Sequence, residues 1–269
     1  MRNLGLEEWK NIFNIGFFLV VSTIGILSYL QARKTLFSPI KTEIFKLQIE
    51  EFKKILEAFN YKNQKQFDEE TGIQEVFNIN ACKMHLNYID CFFKDQVQLS
   101  EEFSQKLESA AYGTIMSKEN FLKNFRHISV GEDVEEVPRI SDRNPVEPAL
   151  KLVKWHEYDQ VEINYTKKYN DATEELSNLA SSPLLPKELV EKIHKIIEIN
   201  RSNLTLIGDV LTEAAKKMPT QYTTIDQTVK FDPTWIWNEY NSSRESLDQS
   251  VSDVLSYINK HLKINEIMK

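Results

Sequence analysis

A single uncharged, apolar run near the start of the chain, Ile12 to Leu30, constrains this sequence more than any other feature; it reads IFNIGFFLVVSTIGILSYL. As a helix its 19 residues would extend about 28 Å, close to the thickness of a bilayer's hydrocarbon core. A secretory signal peptide would show a basic start, a shorter apolar stretch and small residues at a cleavage site. Here Glu7 and Glu8 stand beside Arg2 and Lys10, and the run leads into Ser28-Tyr29-Leu30-Gln31-Ala32-Arg33-Lys34. A core helix of a soluble protein is usually shorter or keeps a polar face. This run is apolar around its circumference apart from positions such as Asn14, Ser22 and Thr23, and Trp9 and Tyr29 mark its ends. Amphipathic rings favour the headgroup region, so the pattern predicts an uncleaved transmembrane helix over 12–30 behind a short tail, 1–11.

Loop charge predicts the orientation. Arg33, Lys34, Lys41 and Lys46 follow the run, against Arg2 and Lys10 before it. Excess Lys and Arg are retained on the cytoplasmic side. The expectation is a single-pass protein of the cell membrane with its N-terminus outside and its body in the cytoplasm.

The remaining 239 residues suffice for one large helical domain or two small ones. Only 8 prolines and 7 glycines punctuate the whole chain, which favours long helices. The net charge of −7 argues against a nucleic-acid partner, because backbone binding needs clustered Lys and Arg. Cys82 and Cys91 are the only cysteines, at a spacing that fits no compact zinc motif, and both sit in an apolar helical pattern. In a reducing cytoplasm they read as buried thiols.

The body reads as all-α: a helical-bundle or coiled-coil-like soluble region behind the membrane helix. Phe37-Ser38-Pro39 resembles a stop and restart, with Ser38 as cap and Pro39 at the first helical position of a segment to about Phe59. Asn60 to Glu70 is polar and reads as a loop. Ile73 to Phe93 is apolar enough to be central, and Ser100 followed by two glutamates starts a helix expected to reach Phe125. These make a helical region over 38–126. Residues 127–148 carry three prolines and mixed charge without periodicity, which marks a linker or functional loop where a minor strand pair could form. A long-helix bundle region, 149–269, follows. Its first helix carries Trp155, Tyr158, Tyr165, Tyr169, Ala172, Leu176 and Leu179 at three–four spacing, interrupted by Glu162. Its second runs from Leu189 to Met218, and its third opens at Asp232-Pro233 and continues to Leu262.

Chemistry is hard to find. Glu191 and His194 form half of the pair used by di-iron bundles, but the sequence lacks a second pair, so a solvated helix surface explains them. The glycines are isolated, which leaves no phosphate loop, and G-x-S-x-G is absent. The aromatics of 155–169 read as core. No cofactor or metal is expected.

Two polar features stand out instead. Within the apolar run Ser22, Gly25 and Ser28 recur every third residue, a spacing that lets helices approach closely in lipid, and Asn14 could add an interhelical hydrogen bond. These four form a candidate association face. Asn200 occupies a seam position between Ile196 and Leu204, where a polar residue can fix register at a cost in stability; a rotation of the helix near Asn203 would instead leave it exposed. The expected function is that of a membrane-anchored helical interaction protein, a scaffold, tether or sensor, whose partners are the bilayer, other proteins and a second copy of itself. A membrane-perturbing effector whose anchor oligomerises on a cytoplasmic trigger is the alternative. An anchored enzyme with a site lacking any short signature is the third.

Overall fold

The computed structural model describes residues 6–59, 63–124 and 147–262. These are predominantly helical, with one two-stranded sheet. The chain divides into two compact units, one comprising residues up to Ile55 with Pro183–Leu185 and the other the remainder. The expected linker, 127–148, lies outside the described residues except for its last two.

Helix α1 spans Leu6–Phe59 without interruption. The expected restart at Ser38 and Pro39 does not occur. A proline inside a helix removes one hydrogen bond and costs about 3 kcal/mol, which one isolated position does not recover by breaking many intact bonds on either side. No glycine reinforces the break, since none lies between Gly25 and Gly72. In the same unit the Gln48 side-chain amide donates to the Leu184 carbonyl at 2.9 Å.

The second unit takes up the end of α1 from Leu56 and continues with α2, Gln64–Thr71, where a polar loop was expected. The helix buries only Phe67 and Thr71, too few for a readable periodicity, and is fixed at its start by a reciprocal cap between Asn63 and Gln66. Gly72, at φ +66°, ends α2 and opens α3, Ile73–Phe93, in a conformation that favours glycine. Helix α4 covers Glu101–Ala110 and is capped by Ser100.

The helix expected to continue to Phe125 gives way to strand β1, Gly113–Met116, and a short helix α5, Lys118–Asn124. Its partner strand interrupts another expected helix. The stretch from Trp155 to Leu179 resolves into α6, Pro148–His156, strand β2, Glu162–Tyr165, and α7, Lys167–Ala180. The strands pair antiparallel, with Gly113 opposite Tyr165 and Met116 opposite Glu162. A Cβ at Gly113 would meet the far end of the Tyr165 side chain, which would have to shift to admit it.

Helix α8, Lys187–Gln221, is the axis of this unit and packs against α3, α6, α7 and β2. Its buried face holds Leu189, Ile193, Ile196, Leu204, Ile207 and Leu211 among others. Gly208 lets β2's approach run close, because a Cβ there would lie 2.7 Å from the Gln160 carbonyl. Beyond α8 come α9, Ile225–Val229, α10, Thr234–Ser243, and α11, Asp248–His261. The single final helix expected from Asp232-Pro233 to Leu262 is thus cut at Arg244–Leu247, whose backbone is claimed by other elements.

Candidate functional site

Among the described side chains from Phe13 to Leu30 none is buried, and Phe13 is 71% and Phe18 68% exposed. Helix α1 is long and apolar enough to cross a membrane. Asn14, Ser22, Gly25 and Ser28 all lie on its exposed surface, within about a third of the circumference at 100° per residue. A Cβ at Gly25 would meet nothing within 4 Å. The Thr23 hydroxyl donates to the Leu19 carbonyl at 2.7 Å, which satisfies it without water.

In the second unit Asn200 is 6% exposed, between Ile196 and Leu204 on the inner face of α8. The rotation that would have exposed it is absent. Its backbone carbonyl accepts from the Tyr169 hydroxyl at 3.1 Å, and its Nδ2 is buried with no protein hydrogen-bond partner. Burial holds the Tyr169 hydroxyl far above the ordinary phenol range. Asn203 is fully used: it donates to the Glu245 carbonyl at 2.8 Å and accepts from the Glu245 N–H at 3.0 Å. Gln64 adds to the same junction by accepting from the Leu247 N–H. Beside it Arg244 forms two 2.7 Å bonds to the Asp68 carboxylate and lies over the Trp237 and Tyr240 rings. Burial pushes the Tyr240 hydroxyl up to about 12.

A second junction was not singled out in the sequence. Asn80, fully buried on α3, accepts from the Asn164 N–H at 2.9 Å and donates to the Asn164 carbonyl at 2.8 Å. Its amide stands where a third strand would pair with β2. Asn80 falls on the apolar face that Val76, Phe77 and Met84 mark at three–four spacing, and that is the signal that could have found it.

Several recesses have the size of a small-molecule site, and one of them has mostly apolar walls. A cleft of about 580 Å³ lies between α3, the segment after it, α4 and α9, with Ile89, Val97, Leu99, Leu107, Ile225 and Val229 in its walls. His85 also lines it, stacked on Phe231 at 4.2 Å with Nε2 3.1 Å from the Thr228 carbonyl. That carbonyl accepts only from a protonated nitrogen, which assigns the hydrogen to Nε2. Burial lowers the His85 pKa, so the ring is neutral at pH 7.

The remaining sequence candidates do not converge. Glu191 pairs with Lys187 at 3.6 Å and His194 is exposed. Cys82 and Cys91 are free and half-buried, with burial raising both thiol pKa values. Trp155 and Tyr169 belong to the core, with Tyr158 and Tyr165 packed against it. Among the described residues no group of three or more His, Cys, Asp or Glu is placed to hold a metal ion. Comparison with known protein families, with characterised proteins and with solved structures finds no match to this chain.

Proposed function

We propose that the chain is a single-pass membrane protein whose helical body lies in the cytoplasm and acts by binding other proteins, as a scaffold, tether or sensor. The observation that carries this reading is the solvent-exposed apolar surface of α1 between Phe13 and Leu30. Contiguous apolar surface of that extent is rare on soluble proteins and marks a membrane or partner contact. The residues after the run favour retention of the body in the cytoplasm, since Arg33, Lys34, Lys41 and Lys46 outnumber the basic residues before it. Asn14, Ser22, Gly25 and Ser28 are the proposed face for association with a second copy in the bilayer. The cleft, with Val97, Leu99 and Val229 partly exposed at its walls, is the proposed recess for a partner's apolar side chains.

Membrane fractionation of the full chain tests the anchor. The protein should resist carbonate and yield to detergent, and a reporter fused after Lys269 should report cytoplasm. Extraction by carbonate, or a reporter active only outside, would refute the corresponding half. Crosslinking in membranes followed by purification should recover a partner that Val97→Lys with Leu99→Lys no longer retains.

A further inference from the structure

The segment of α1 that follows the apolar run is cationic without compensation. From Trp9 through Thr42 the sequence has no Asp or Glu, whereas from Glu43 onward the chain has 28 Lys and Arg against 38 Asp and Glu. Leu30, Arg33, Lys34, Phe37 and Lys41 fall within an arc of roughly 100° on the helix and line one shallow groove with Thr42. All five are exposed, and no ion pair engages the three cations among the described residues. Lys46 differs: it points to the opposite face and pairs with Glu43 at 3.4 Å.

Helix polarity adds a direction. Side chains of an α-helix lean toward its N-terminus, which here is toward the apolar run, so these cationic stems lean back toward the bilayer surface. Arg33 and Lys34 lie about 5–6 Å past Leu30, the depth of the headgroup layer, while Lys41 lies about 16 Å past it and within roughly a Debye length of that layer.

We propose that this face of α1 binds the headgroup phosphate of anionic phospholipids, with Arg33 and Lys34 in contact, Lys41 adding attraction from behind, and Leu30 and Phe37 supplying flanking apolar surface. The proposal rests on the reading that the apolar run crosses the bilayer. Its ligand is a lipid of the leaflet nearest the body, and free phosphate is the competing source of the same chemistry.

The test reconstitutes the full chain into phosphatidylcholine vesicles carrying a minority of spin-labelled phosphatidylglycerol or, in a parallel arm, spin-labelled phosphatidylcholine. The protein should immobilise the anionic label at least about fivefold more strongly, the selectivity expected of even one cation at an anionic surface. Arg33→Gln with Lys34→Gln and Lys41→Gln should abolish the difference, and Lys46→Gln should preserve it. Equal immobilisation of the two lipids, or selectivity surviving the triple substitution, would overturn the proposal. Inorganic phosphate added to the same vesicles should not displace the label; displacement would assign the site to a free ion and overturn the lipid reading. Carbonate extraction of the same samples keeps the premise separate. Both proteins should stay in the membrane, and release of the unsubstituted protein would overturn the anchor and the proposal together.

Discussion

Asp68 and Arg244, 176 residues apart in sequence, meet in a two-pronged ion pair whose side chains are only 16% and 10% exposed. The pair ties α2 to the break between α10 and α11. Its aromatic neighbours Trp237 and Tyr240 screen it from water, so each charge depends on the other for solvation. Removing one partner leaves the other uncompensated. Arg244→Met should therefore cost about 3–5 kcal/mol in the denaturant unfolding of the full chain in detergent. Adding Asp68→Leu should restore much of that loss, because an apolar pair of similar volume has no desolvation to offset. If the double variant is as unstable as the single one, the pair contributes more than mutual compensation.

Asn80 sets the edge of the sheet. Its amide takes both the N–H and the C=O of Asn164, and its Nδ2 also donates to the Val76 carbonyl at 2.7 Å. Asn80→Leu keeps the volume and removes every one of these bonds. Each orphaned buried group costs on the order of 1–3 kcal/mol, so a loss of roughly 2–5 kcal/mol is expected. Hydrogen exchange at the Asn164 amide should accelerate to match. A variant with unchanged exchange at that amide would show that β2 does not need the Asn80 amide.

What the sequence revealed and what it hid follow one physical division. Helices that bury a continuous face were legible: Ile73 to Phe93 was expected as a helix and is α3, and Leu189 to Met218 lies within α8. Elements defined by distant partners were not. Gly113–Met116 and Glu162–Tyr165 are four-residue strands whose signal is each other, and the apolar spacing from Trp155 to Leu179 bridged the break between them. The cut at Arg244–Leu247 depends on Asp68, Asn203 and Gln64, which no local window contains. Conversely, Pro39 is a strong local signal for a break, yet the helix runs through it. The spanning length of α1 was readable because an unbroken, uncharged apolar run is a local property of the sequence. The cleft around His85 required two stretches far apart in sequence, 83–108 and 225–229, to converge and left no periodic trace.

His85 should make stability depend on pH below neutrality. Burial lowers its folded-state pKa from the ordinary 6.5, so over the window below 6.5 the unfolded chain binds the extra proton first. The neutral ring's contribution is complete above that window and is lost as pH falls through 6.5 toward the lowered folded value. The midpoint of thermal unfolding should drop between pH 7.5 and pH 5.5. His85→Phe, which can keep the stack on Phe231, should flatten this dependence while giving up the bond to the Thr228 carbonyl. An equally steep pH dependence in the variant would assign the effect to other groups.

Asn200 provides the sharpest contrast between two neighbouring amides. It is 6% exposed and Asn203 5% exposed, one turn apart on α8, yet only Asn203 places both of its side-chain polar atoms in hydrogen bonds to backbone. The Nδ2 of Asn200 is buried without a protein partner, and the bond from Tyr169 goes to its backbone carbonyl, which survives substitution. Asn200→Leu removes an unsatisfied donor and adds apolar volume between Ile196 and Leu204. It should stabilise the protein by about 1–2 kcal/mol, a rise of a few degrees in melting temperature. Asn203→Leu should do the opposite by about 2–4 kcal/mol, since it strands the N–H and C=O of Glu245. Because Tyr169 and Asn200 meet within one chain, light scattering should show the same mass for both variants and the unsubstituted protein. A destabilised Asn200→Leu at unchanged mass would mean that the buried amide is held by a bound water, and that its polarity is structural rather than a cost.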